Sequence, residues 1–347
     1  MMDYGKLLGA HGLDALLIST PANVRYLSGF TEPKDGQVIV GQSGAILLTD
    51  GRYTVQAQQE SRLPVRIAGR EERPQVYAGL LGGRIGFEAA GLTYAQLETL
   101  RQQAPGEWVP TYGLIEQYRV RKSPEEIGHI RAAAQLADRA LAHILPFLKP
   151  GAREIDIALE LEFFLRKNGS EGVAFDTAVV SGPRTAMPHG SPSQRVLGPG
   201  DLVTLDFGAV IGGYCSDMTR TVGIGAVSQE LKRMYRAVLE AQERALEAVG
   251  PGRIGKELDA LARQVLEEKG YGPYFSHGLG HGVGLLIHEA PGLNKISEDT
   301  LEPGMVITIE PGVYIPDVGG VRIEDLVLVT EGGYEVLSQA PKGWLEL

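Results

Sequence analysis

The chain repeats part of its own sequence at a constant offset of 101 residues. Residues 150–169 resemble residues 251–270, and in each copy a Pro-Gly turn precedes an amphipathic helix that ends at a glycine. The neighbouring elements are predicted as long helices over residues 124–148 and 229–249 and as strands over residues 175–181 and 275–282. This duplicated helix–helix–strand unit predicts two similar halves related by a pseudo-twofold axis, with a binding site where they join.

The part of the chain before the repeat has a different pattern. Over the first hundred or so residues, short apolar runs of strand length alternate with helix-like segments, which predicts an α/β domain with a mixed sheet. A strong helix start follows, with Ser123 as the N-cap, Pro124 at the first helical position and Glu126 in a capping box. We therefore predict an α+β protein with an N-terminal domain over residues 1–117, a linker over residues 118–123 and a second domain over residues 124–347.

Charge and apolar content exclude several classes of partner. A net charge of −10 argues against nucleic acid and anionic membranes, because both require a basic face. No apolar run reaches the roughly 18 residues that span a bilayer, and the first residues lack the apolar core of a signal peptide. The single cysteine, Cys215, excludes an internal disulfide and fits a reducing compartment. We expect a cytoplasmic protein.

A glycine-rich stretch contains three of the seven histidines of the chain. Residues 276–289 read S-H-G-L-G-H-G-V-G-L-L-I-H-E. Four glycines in seven positions make a helix costly, so the alternation favours an extended segment to which other backbone comes close. We predict that His277, His281 and His288 line a crowded site from a strand and its loop. The alternative is three unrelated histidines in a loop.

A first predicted hairpin places two aspartates together. It covers residues 202–223, and its turn is a Gly-Gly pair. Counting outward from this turn, Asp206 faces Thr219 and Gly208 faces Asp217. The two aspartates then lie on one face of the hairpin, with Cβ atoms within about 7–8 Å of each other. One divalent ion, or two ions that share a carboxylate, would bridge this gap.

A second predicted hairpin, over residues 306–328, places two glutamates together. With its turn centred near Asp317, Glu310 and Glu324 lie opposite each other. Any one such carboxylate is more often a polar-face residue, but four on two apolar hairpins would repel each other strongly without a counter-charge. Together with His281 they predict a dinuclear site for Mn²⁺, with Co²⁺ or Zn²⁺ as alternatives. The absence of a cysteine ligand argues against a structural zinc site.

The chain resembles the proline-specific metallopeptidases with the pita-bread fold, the family of prolidases, aminopeptidases P and methionine aminopeptidases. The resemblance covers the chain from about Ser123 onward and is highly specific, because five ligand contexts occur in the right order. The contexts are T-L-D-F-G-A at Asp206, C-S-D-M-T-R-T at Asp217, S-H-G-L-G-H-G-V-G at His281, T-I-E-P-G-V-Y at Glu310 and G-G-V-R-I-E-D at Glu324. The N-terminal part is similar, less specifically, to the creatinase-type domain of prolidases and aminopeptidases P. The resemblance implies two divalent metal ions per chain.

The resemblance also implies roles for other polar residues. His189, in M-P-H-G, matches a histidine placed near the substrate. His277 and His288 match histidines that line the pocket, one of which stabilises the developing oxyanion. Arg322 matches an arginine beside the bridging glutamate, and a strand-face salt bridge is the alternative for it. Glu310 is the candidate to carry the proton.

The implied reaction is hydrolysis of the bond between an N-terminal residue and proline, by a hydroxide held between the two ions. A prolidase, which cleaves Xaa-Pro dipeptides, is the first hypothesis, because the chain has the length of a compact two-domain protein. An aminopeptidase P, which acts on longer peptides, is the second. A non-catalytic binding protein on the same fold is a more remote alternative. The expected partners are small proline-containing peptides and a second copy of the chain in a homodimer.

One position departs from the family's pattern. Some prolidases have an arginine after the proline of the H-E-x-P segment, expected to hold the carboxylate of the dipeptide, and this chain has Gly292 there. We predict that Arg52, in D-G-R-Y at a strand-to-helix junction, supplies this contact from the partner chain of a dimer, with Lys295 as a weaker candidate. The alternative is that Asp50 caps a helix and that Arg52 is solvated.

Overall fold

The computed structural model of the protein describes residues 2–347. They form two compact units, of which the first ends at Arg119 and the second begins at Val120. Each unit has sheets and apolar clusters of its own. Among the described residues, no helix combines the length and the apolar character that a membrane span requires.

The first unit is an α/β domain around one mixed sheet, as its alternating pattern predicts. Its strands are β1 (Ala15–Ile18), β2 (Gln37–Gly41), β3 (Gly44–Thr49), β4 (Val65–Ile67), β5 (Arg84–Glu88) and β6 (Glu107–Thr111). Its helices are α1 (Tyr4–Ala10), α2 (Pro21–Ser28), α3 (Thr54–Glu60), α4 (Arg73–Leu80), α5 (Tyr94–Gln103) and α6 (Glu116–Arg119). The strand order is β4-β3-β2-β1-β5-β6, and β2 runs antiparallel to both of its neighbours.

Both faces of this sheet are covered, which explains why its central strand is apolar throughout. All four residues of β1 are buried. Leu16 and Ile18 belong to one apolar cluster, and Ala15 and Leu17 belong to the cluster on the other face. A strand buried on both faces reads as a continuous apolar run instead of an alternating one.

The second unit is built from four long helices and a set of antiparallel strands. Its helices are α7 (Pro124–Ile144), α8 (Glu154–Lys167), α9 (Gln229–Glu247) and α10 (Gly255–Glu268). Its strands are β7 (Ala178–Ser181), β8 (Leu202–Phe207), β9 (Val210–Ile211), β10 (Tyr214–Cys215), β11 (Met218–Gly223), β12 (Gly280–Gly282), β13 (Glu289–Leu293), β14 (Val306–Ile309), β15 (Gly312–Ile315), β16 (Gly319–Arg322), β17 (Asp325–Thr330) and β18 (Gly333–Val336). The two main sheets have the orders β11-β8-β7 and β13-β12-β14-β17-β18.

The internal repeat predicted from the sequence is present as a structural duplication. Helices α8 and α10 start 101 residues apart, and each contains 14 residues. The hydrogen bonds around them repeat as well: the amide of Gly151 donates to the carbonyl of Leu197 (3.0 Å), and that of Gly252 donates to Leu301 (2.8 Å). The strand pairs β7–β8 and β12–β14 follow in equivalent places of the two halves.

Local signals at the start of this unit are confirmed, whereas two strand boundaries are wrong. The hydroxyl of Ser123 accepts from the amide of Glu126, whose side chain reaches back to the amide of Ser123, and Pro124 opens the helix. The predicted strands over residues 175–181 and 275–282 begin only at Ala178 and Gly280.

The glycine-rich stretch is extended at its centre and lies in close contact with other backbone, as predicted. A Cβ atom on Gly280 would come within 2.0 Å of the carbonyl oxygen of Thr308, and one on Gly282 within 2.2 Å of that of Ala290. No larger residue fits at either position. These two glycines let β12 lie between β13 and β14, and so fix His281, which stands between them.

The two hairpins have the predicted registers. In the first, Asp206 pairs with Thr219 and Ile211 pairs with Tyr214. In the second, Ile309 pairs with Asp325 and Gly312 with Arg322, so the register is continuous through the gap between the two ladders. Glu310 and Glu324 occupy that gap opposite each other. The turn residue Asp317 has a φ of 62°, a conformation that aspartate tolerates better than most residues.

Candidate metal centre

A single cavity in the second unit, of about 770 Å³, is lined by nine of the ten site residues expected from the sequence. These nine are Asp206, Asp217, His281, Glu310, Glu324, His189, His277, His288 and Arg322. The tenth, Arg52, belongs to the first unit. The cavity therefore contains every residue expected to hold a metal ion.

The four carboxylates come from equivalent places in the two halves. Asp206 lies in β8, and Glu310 directly follows β14, the corresponding strand of the second half. Asp217 directly precedes β11, and Glu324 directly precedes β17. The duplication thus brings four acidic side chains to one point, while His281 from β12 is the one member that the second half alone supplies.

The distances within the cluster suit metal coordination. Nε2 of His281 lies 3.2 Å from Oε1 of Glu310 and 3.6 Å from Oδ2 of Asp217. One ligand atom each from Asp217, His281 and Glu324 lies within 4.8 Å of the other two. Ligand atoms that each stand about 2.0–2.2 Å from an ion are separated from one another by distances of this order.

The hydrogen bonds of His281 select the tautomer that a metal site needs. Its Nδ1 lies 3.0 Å from the carbonyl oxygen of Gly282. A carbonyl oxygen can only accept, so Nδ1 carries the proton and the lone pair of the neutral ring is on Nε2. Nε2 is the atom that faces the carboxylates, and this is the arrangement by which proteins orient a metal-binding histidine.

Two carboxylate oxygens in the cluster are buried without a hydrogen-bond partner among residues 2–347. They are Oδ1 of Asp206 and Oε1 of Glu324. The other oxygen of each group is held, since Arg322 donates to Oδ2 of Asp206 and Thr219 donates to Oε2 of Glu324. A buried carboxylate oxygen without a partner costs free energy, and a cation is the partner that clustered carboxylates require. The donor set therefore fits divalent metal ions.

The electrostatics of the cluster point in the same direction. Burial, and after it the charge of Glu324, raises the pKa of Asp217 well above its usual value. Burial, followed by the charge of Glu310, does the same to the pKa of Glu324. Burial alone would also raise the pKa of Glu310, but in the absence of metal the protonated His281 ring donates from Nε2 to Glu310 and lowers that pKa to about 2. A metal ion on Nε2 would take the place of this proton. Glu310 is thus the carboxylate of the cluster that stays ionised most readily.

A hydrogen-bonded chain from Arg322 through Tyr314 to His277 was not expected from the sequence. Arg322 donates to the hydroxyl of Tyr314 (2.8 Å), which lies 2.9 Å from Nε2 of His277. Nδ1 of His277 lies 2.8 Å from the carbonyl oxygen of Gly278, so Nδ1 donates and Nε2 accepts from Tyr314. Tyr314 could have been found by counting the hairpin, because it lies diagonally across from Arg322 on the same face.

His189 and His288 differ from the two bonded histidines. Both are exposed on the cavity wall, and neither ring forms a hydrogen bond with any residue in the described range 2–347. The ring of His288 lies 4.3 Å from that of His281, centroid to centroid. Burial, and after it the nearby His281, lowers the pKa of His288, so this ring is neutral at neutral pH. Both side chains are placed to contact a ligand in the cavity.

Gly292 and Lys295, the two positions of this unit considered for binding the carboxylate of a dipeptide, lie outside the cavity lining. Gly292 is in β13, where its amide donates to Oδ2 of Asp299 (2.8 Å), and Lys295 is exposed. Neither of them lines the cavity within the described part of the chain. At these two positions the structure offers no cation to a ligand in the cavity.

Arg52 lies at the predicted strand-to-helix junction of the first unit. Its Nε donates to Oδ1 of Asp50 (3.0 Å), and one terminal nitrogen donates to Oδ1 of Asp35 (2.6 Å). Asp50 also accepts from the amide of Arg52, so the helix-cap interpretation of Asp50 is confirmed. The Arg52 side chain is 64% exposed and borders a separate cleft of about 410 Å³ in the first unit. Its guanidinium is thus largely committed to two carboxylates of its own unit.

Comparisons with known proteins agree with this geometry. Residues 128–331 match the model of metallopeptidase family M24, and residues 4–121 match the creatinase/prolidase N-terminal domain. The chain is 40% identical over 339 residues to an Xaa-Pro dipeptidase of Pyrococcus furiosus, covering 97% of each chain. It is similar to the solved structures of an Xaa-Pro dipeptidase from Bacillus anthracis (43% identity, TM-score 0.95, 99% of each chain) and of an X-Pro aminopeptidase from Thermotoga maritima (37% identity, TM-score 0.91, 99% of this chain and 98% of that one). Four carboxylates and a histidine gather at the join of a duplicated fold, and the sequence that precedes this fold matches a creatinase-type N-terminal domain, so the chain belongs to metallopeptidase family M24.

Proposed function

We propose that the protein hydrolyses the bond between an N-terminal residue and proline, with Xaa-Pro dipeptides as its substrates. The observation that carries this proposal is the buried cluster of four carboxylates with His281, two of whose oxygens have no partner among the described residues. The similarity to Xaa-Pro dipeptidases over nearly the whole chain supports the choice of substrate. The complete ligand set weighs against a non-catalytic binding protein.

We assign the five ligands as a centre for two divalent ions, with Mn²⁺ as the first choice and Co²⁺ or Zn²⁺ as alternatives. When bound, such ions supply an activated water at neutral pH and polarise the scissile carbonyl. We assign to Glu310 the transfer of a proton from the attacking water to the proline nitrogen, since its carboxylate lies within the ligand cluster, 3.2 Å from Nε2 of His281. Its Oε1 accepts a hydrogen bond of 3.0 Å from Thr308, which holds the carboxylate in place.

Of the two histidines considered for the oxyanion, His288 is the better placed. Both ring nitrogens of His277 are engaged, by Gly278 and by Tyr314, so its ring has no free N–H for a substrate. His288 lies beside His281 and keeps its ring nitrogens available. We assign His288 to the oxyanion, His189 to substrate contact, and His277 with Arg322 to the support of Tyr314 and Asp206.

A specific observation favours the second candidate, an aminopeptidase that acts on longer Xaa-Pro peptides. Among residues 2–347, Arg322 is the only lysine or arginine that lines the cavity, and it is already bonded to Asp206. The terminal carboxylate of a dipeptide needs a paired cation when it leaves water, whereas a longer peptide presents a neutral amide there. If Arg52 of a partner chain in a homodimer supplied the missing cation, dipeptides would be the favoured substrates.

The test is a comparison of Xaa-Pro dipeptides with Xaa-Pro-Xaa tripeptides of the same first residue, with Mn²⁺, Co²⁺ or Zn²⁺ added to metal-free protein. The proposal expects dipeptides to have the higher kcat/KM in the presence of metal. Faster cleavage of the tripeptides would make the protein an aminopeptidase. Hydrolysis of neither class of peptide under any of the three metals would reject both candidate functions.

We place the protein, for which no membrane partner is proposed, in the cytoplasm.

A further inference from the structure

One wall of the cavity is formed by a stripe of helix α8 that the proposed reaction leaves unused. Ile155, Leu159 and Glu162 line the cavity at spacings of four and three residues, so they lie on one face of the helix. Leu159 is 57% exposed, so an aliphatic chain lying along this stripe would remove apolar surface from water. The stripe is an apolar track that ends at a carboxylate.

The same wall carries two carboxylates without partners. Neither Glu162 nor Asp176 forms a hydrogen bond or an ion pair with any residue between 2 and 347, although both line the cavity. Within the described part of the chain, Arg322 is the one lysine or arginine on the cavity wall, and it is bonded to Asp206 on the metal side. This part of the wall therefore has an excess of negative charge that a cationic ligand group would match.

A third group on this wall also lacks a partner. Thr177 is 4% exposed, and its hydroxyl oxygen forms no hydrogen bond within the described residues, although the residue lines the cavity between Asp176 and β7. A buried hydroxyl without a partner costs free energy, which a ligand N–H at this position would recover. This is independent of the two carboxylates and indicates that a polar ligand group belongs here.

In the second half of the duplicated fold, the position equivalent to Glu162 is occupied by a cation, Arg263. In that half Arg263 donates to Asp259 (2.6 Å) and to the carbonyl of Phe275 (2.9 Å), and its guanidinium lies 4.1 Å from the ring centre of Phe275. At the offset of 101 residues, Arg263 corresponds to Glu162 and Asp259 corresponds to Ala158. The second half thus closes its helix–strand junction with its own guanidinium. The first half leaves the junction open to the cavity, with a carboxylate in that position.

We propose that this wall, with Glu162 and Asp176 at the end of the Ile155–Leu159 track, selects substrates whose first residue is lysine or arginine. The methylene groups of such a side chain lie along the track, and its charged end is bound by the two carboxylates, with Thr177 as a further acceptor. This rests on the proposed function, because in an Xaa-Pro peptide the first residue is the one whose side chain varies.

The test compares Lys-Pro with norleucine-Pro, whose side chain has the same number of carbon atoms and no charge. The wild-type protein should have a kcat/KM for Lys-Pro about fivefold to tenfold above that for norleucine-Pro, and Glu162→Gln should bring this ratio close to one. Asp176→Asn should lower the same ratio, which keeps the test informative if the first variant is poorly folded. Glu331→Gln removes an exposed carboxylate that does not line the cavity, and should leave the ratio as in the wild type.

Other outcomes overturn the inference without touching the proposed function. An equal loss on both substrates in Glu162→Gln would mean that the carboxylate binds the α-ammonium group, which every substrate shares. A wild-type ratio near one would mean that the wall does not sense charge. If the metal-loaded protein cleaves no Xaa-Pro peptide at all, including norleucine-Pro, it is the proposed function that fails.

Discussion

The hydroxyl of Thr219 donates a 2.7 Å hydrogen bond to Oε2 of Glu324. A second hydrogen bond fixes the direction of the first: Nε of Arg322 donates to the hydroxyl oxygen of Thr219 at 2.9 Å, so the hydroxyl proton of Thr219 is free to point at the carboxylate. Oε1 of Glu324 is then the atom that faces the cluster, and it has no partner within residues 2–347. The metal centre is therefore oriented by neutral and cationic donors that are not ligands themselves.

Thr219→Val should weaken metal binding while it preserves shape. The valine keeps the volume of the threonine but cannot donate to Glu324, so we expect a loss of metal affinity of roughly 10–100-fold. The measurement is calorimetric titration of the metal-free protein with Mn²⁺. Thr204→Val is the matched control, since Thr204 is also buried and its hydroxyl bonds Thr221 instead of a carboxylate of the cluster. Equal affinity in the two variants would contradict the role of Thr219.

Tyr314 and His277 should act as one unit. Arg322, Tyr314 and His277 are linked in series, so Tyr314→Phe and His277→Ala should each lower kcat by roughly tenfold. The double variant should have about the same kcat as the more impaired of the two single variants. The measurement is a double-mutant cycle on kcat with metal content checked in each variant. Tyr314→Phe combined with His288→Ala is the control, because no hydrogen bond links those residues and their effects should add. Additive losses in the first pair would contradict the chain of hydrogen bonds.

Metal should stabilise the protein more at higher pH. The raised pKa values of Asp217 and Glu324 mean that the metal-free folded protein keeps protons that the unfolded chain releases above about pH 4. Their contribution to the stability of the metal-free protein is therefore present at low pH and is lost as the pH rises toward the raised values. Metal ions replace these protons, so the increase in Tm on adding Mn²⁺ should be larger at pH 7.5 than at pH 5. The same increase at both values would contradict protonated carboxylates in the metal-free site.

Arg52→Ala tests whether the N-terminal unit takes part in substrate selection. If Arg52 of a partner chain binds the carboxylate of a dipeptide, the substitution should raise KM for Xaa-Pro dipeptides far more than for tripeptides. Mixing Arg52→Ala chains with Glu310→Ala chains should then restore part of the activity. The bonds of Arg52 to Asp50 and Asp35 offer the competing account, in which the variant changes only the thermal stability of the first unit. No change in KM for either class would remove Arg52 from the site.

The registers of the two hairpins, and the faces on which their four carboxylates lie, could be predicted from the sequence because they depend on local counting. The Gly-Gly turn fixes which residues face each other in the first hairpin, and Asp317 does so in the second, so the faces of Asp206, Asp217, Glu310 and Glu324 follow from a count along each strand. The Ser123 capping box is likewise a local signal. A repeat of constant offset then relates the two halves without any knowledge of their contacts.

The ends of strands and the contacts between distant segments could not be predicted in this way. Strand β7 starts later than expected because its ladder with β8 is interrupted before Ala178 and resumes, two residues out of register, at the bridge between Val173 and Ala209. Strand β12 starts beside the end of β14, where the amide of Glu310 still donates to the carbonyl of Leu279. Apolar alternation along residues 175–177 continues without a partner strand and gives no sign of this. The bond between Arg52 and Asp35 also joins segments that no local pattern connects.

The central claim is that the cluster of Asp206, Asp217, His281, Glu310 and Glu324 binds two divalent ions and that hydrolysis depends on them. The most direct measurement is a titration of metal-free protein with Mn²⁺, in which bound metal per chain and the rate of Xaa-Pro hydrolysis are recorded together. We expect no hydrolysis without metal and a rate that reaches its plateau at two ions per chain, and we expect Asp217→Ala and Glu324→Ala to stay below this plateau. Full activity in protein shown by elemental analysis to be free of metal would contradict the account.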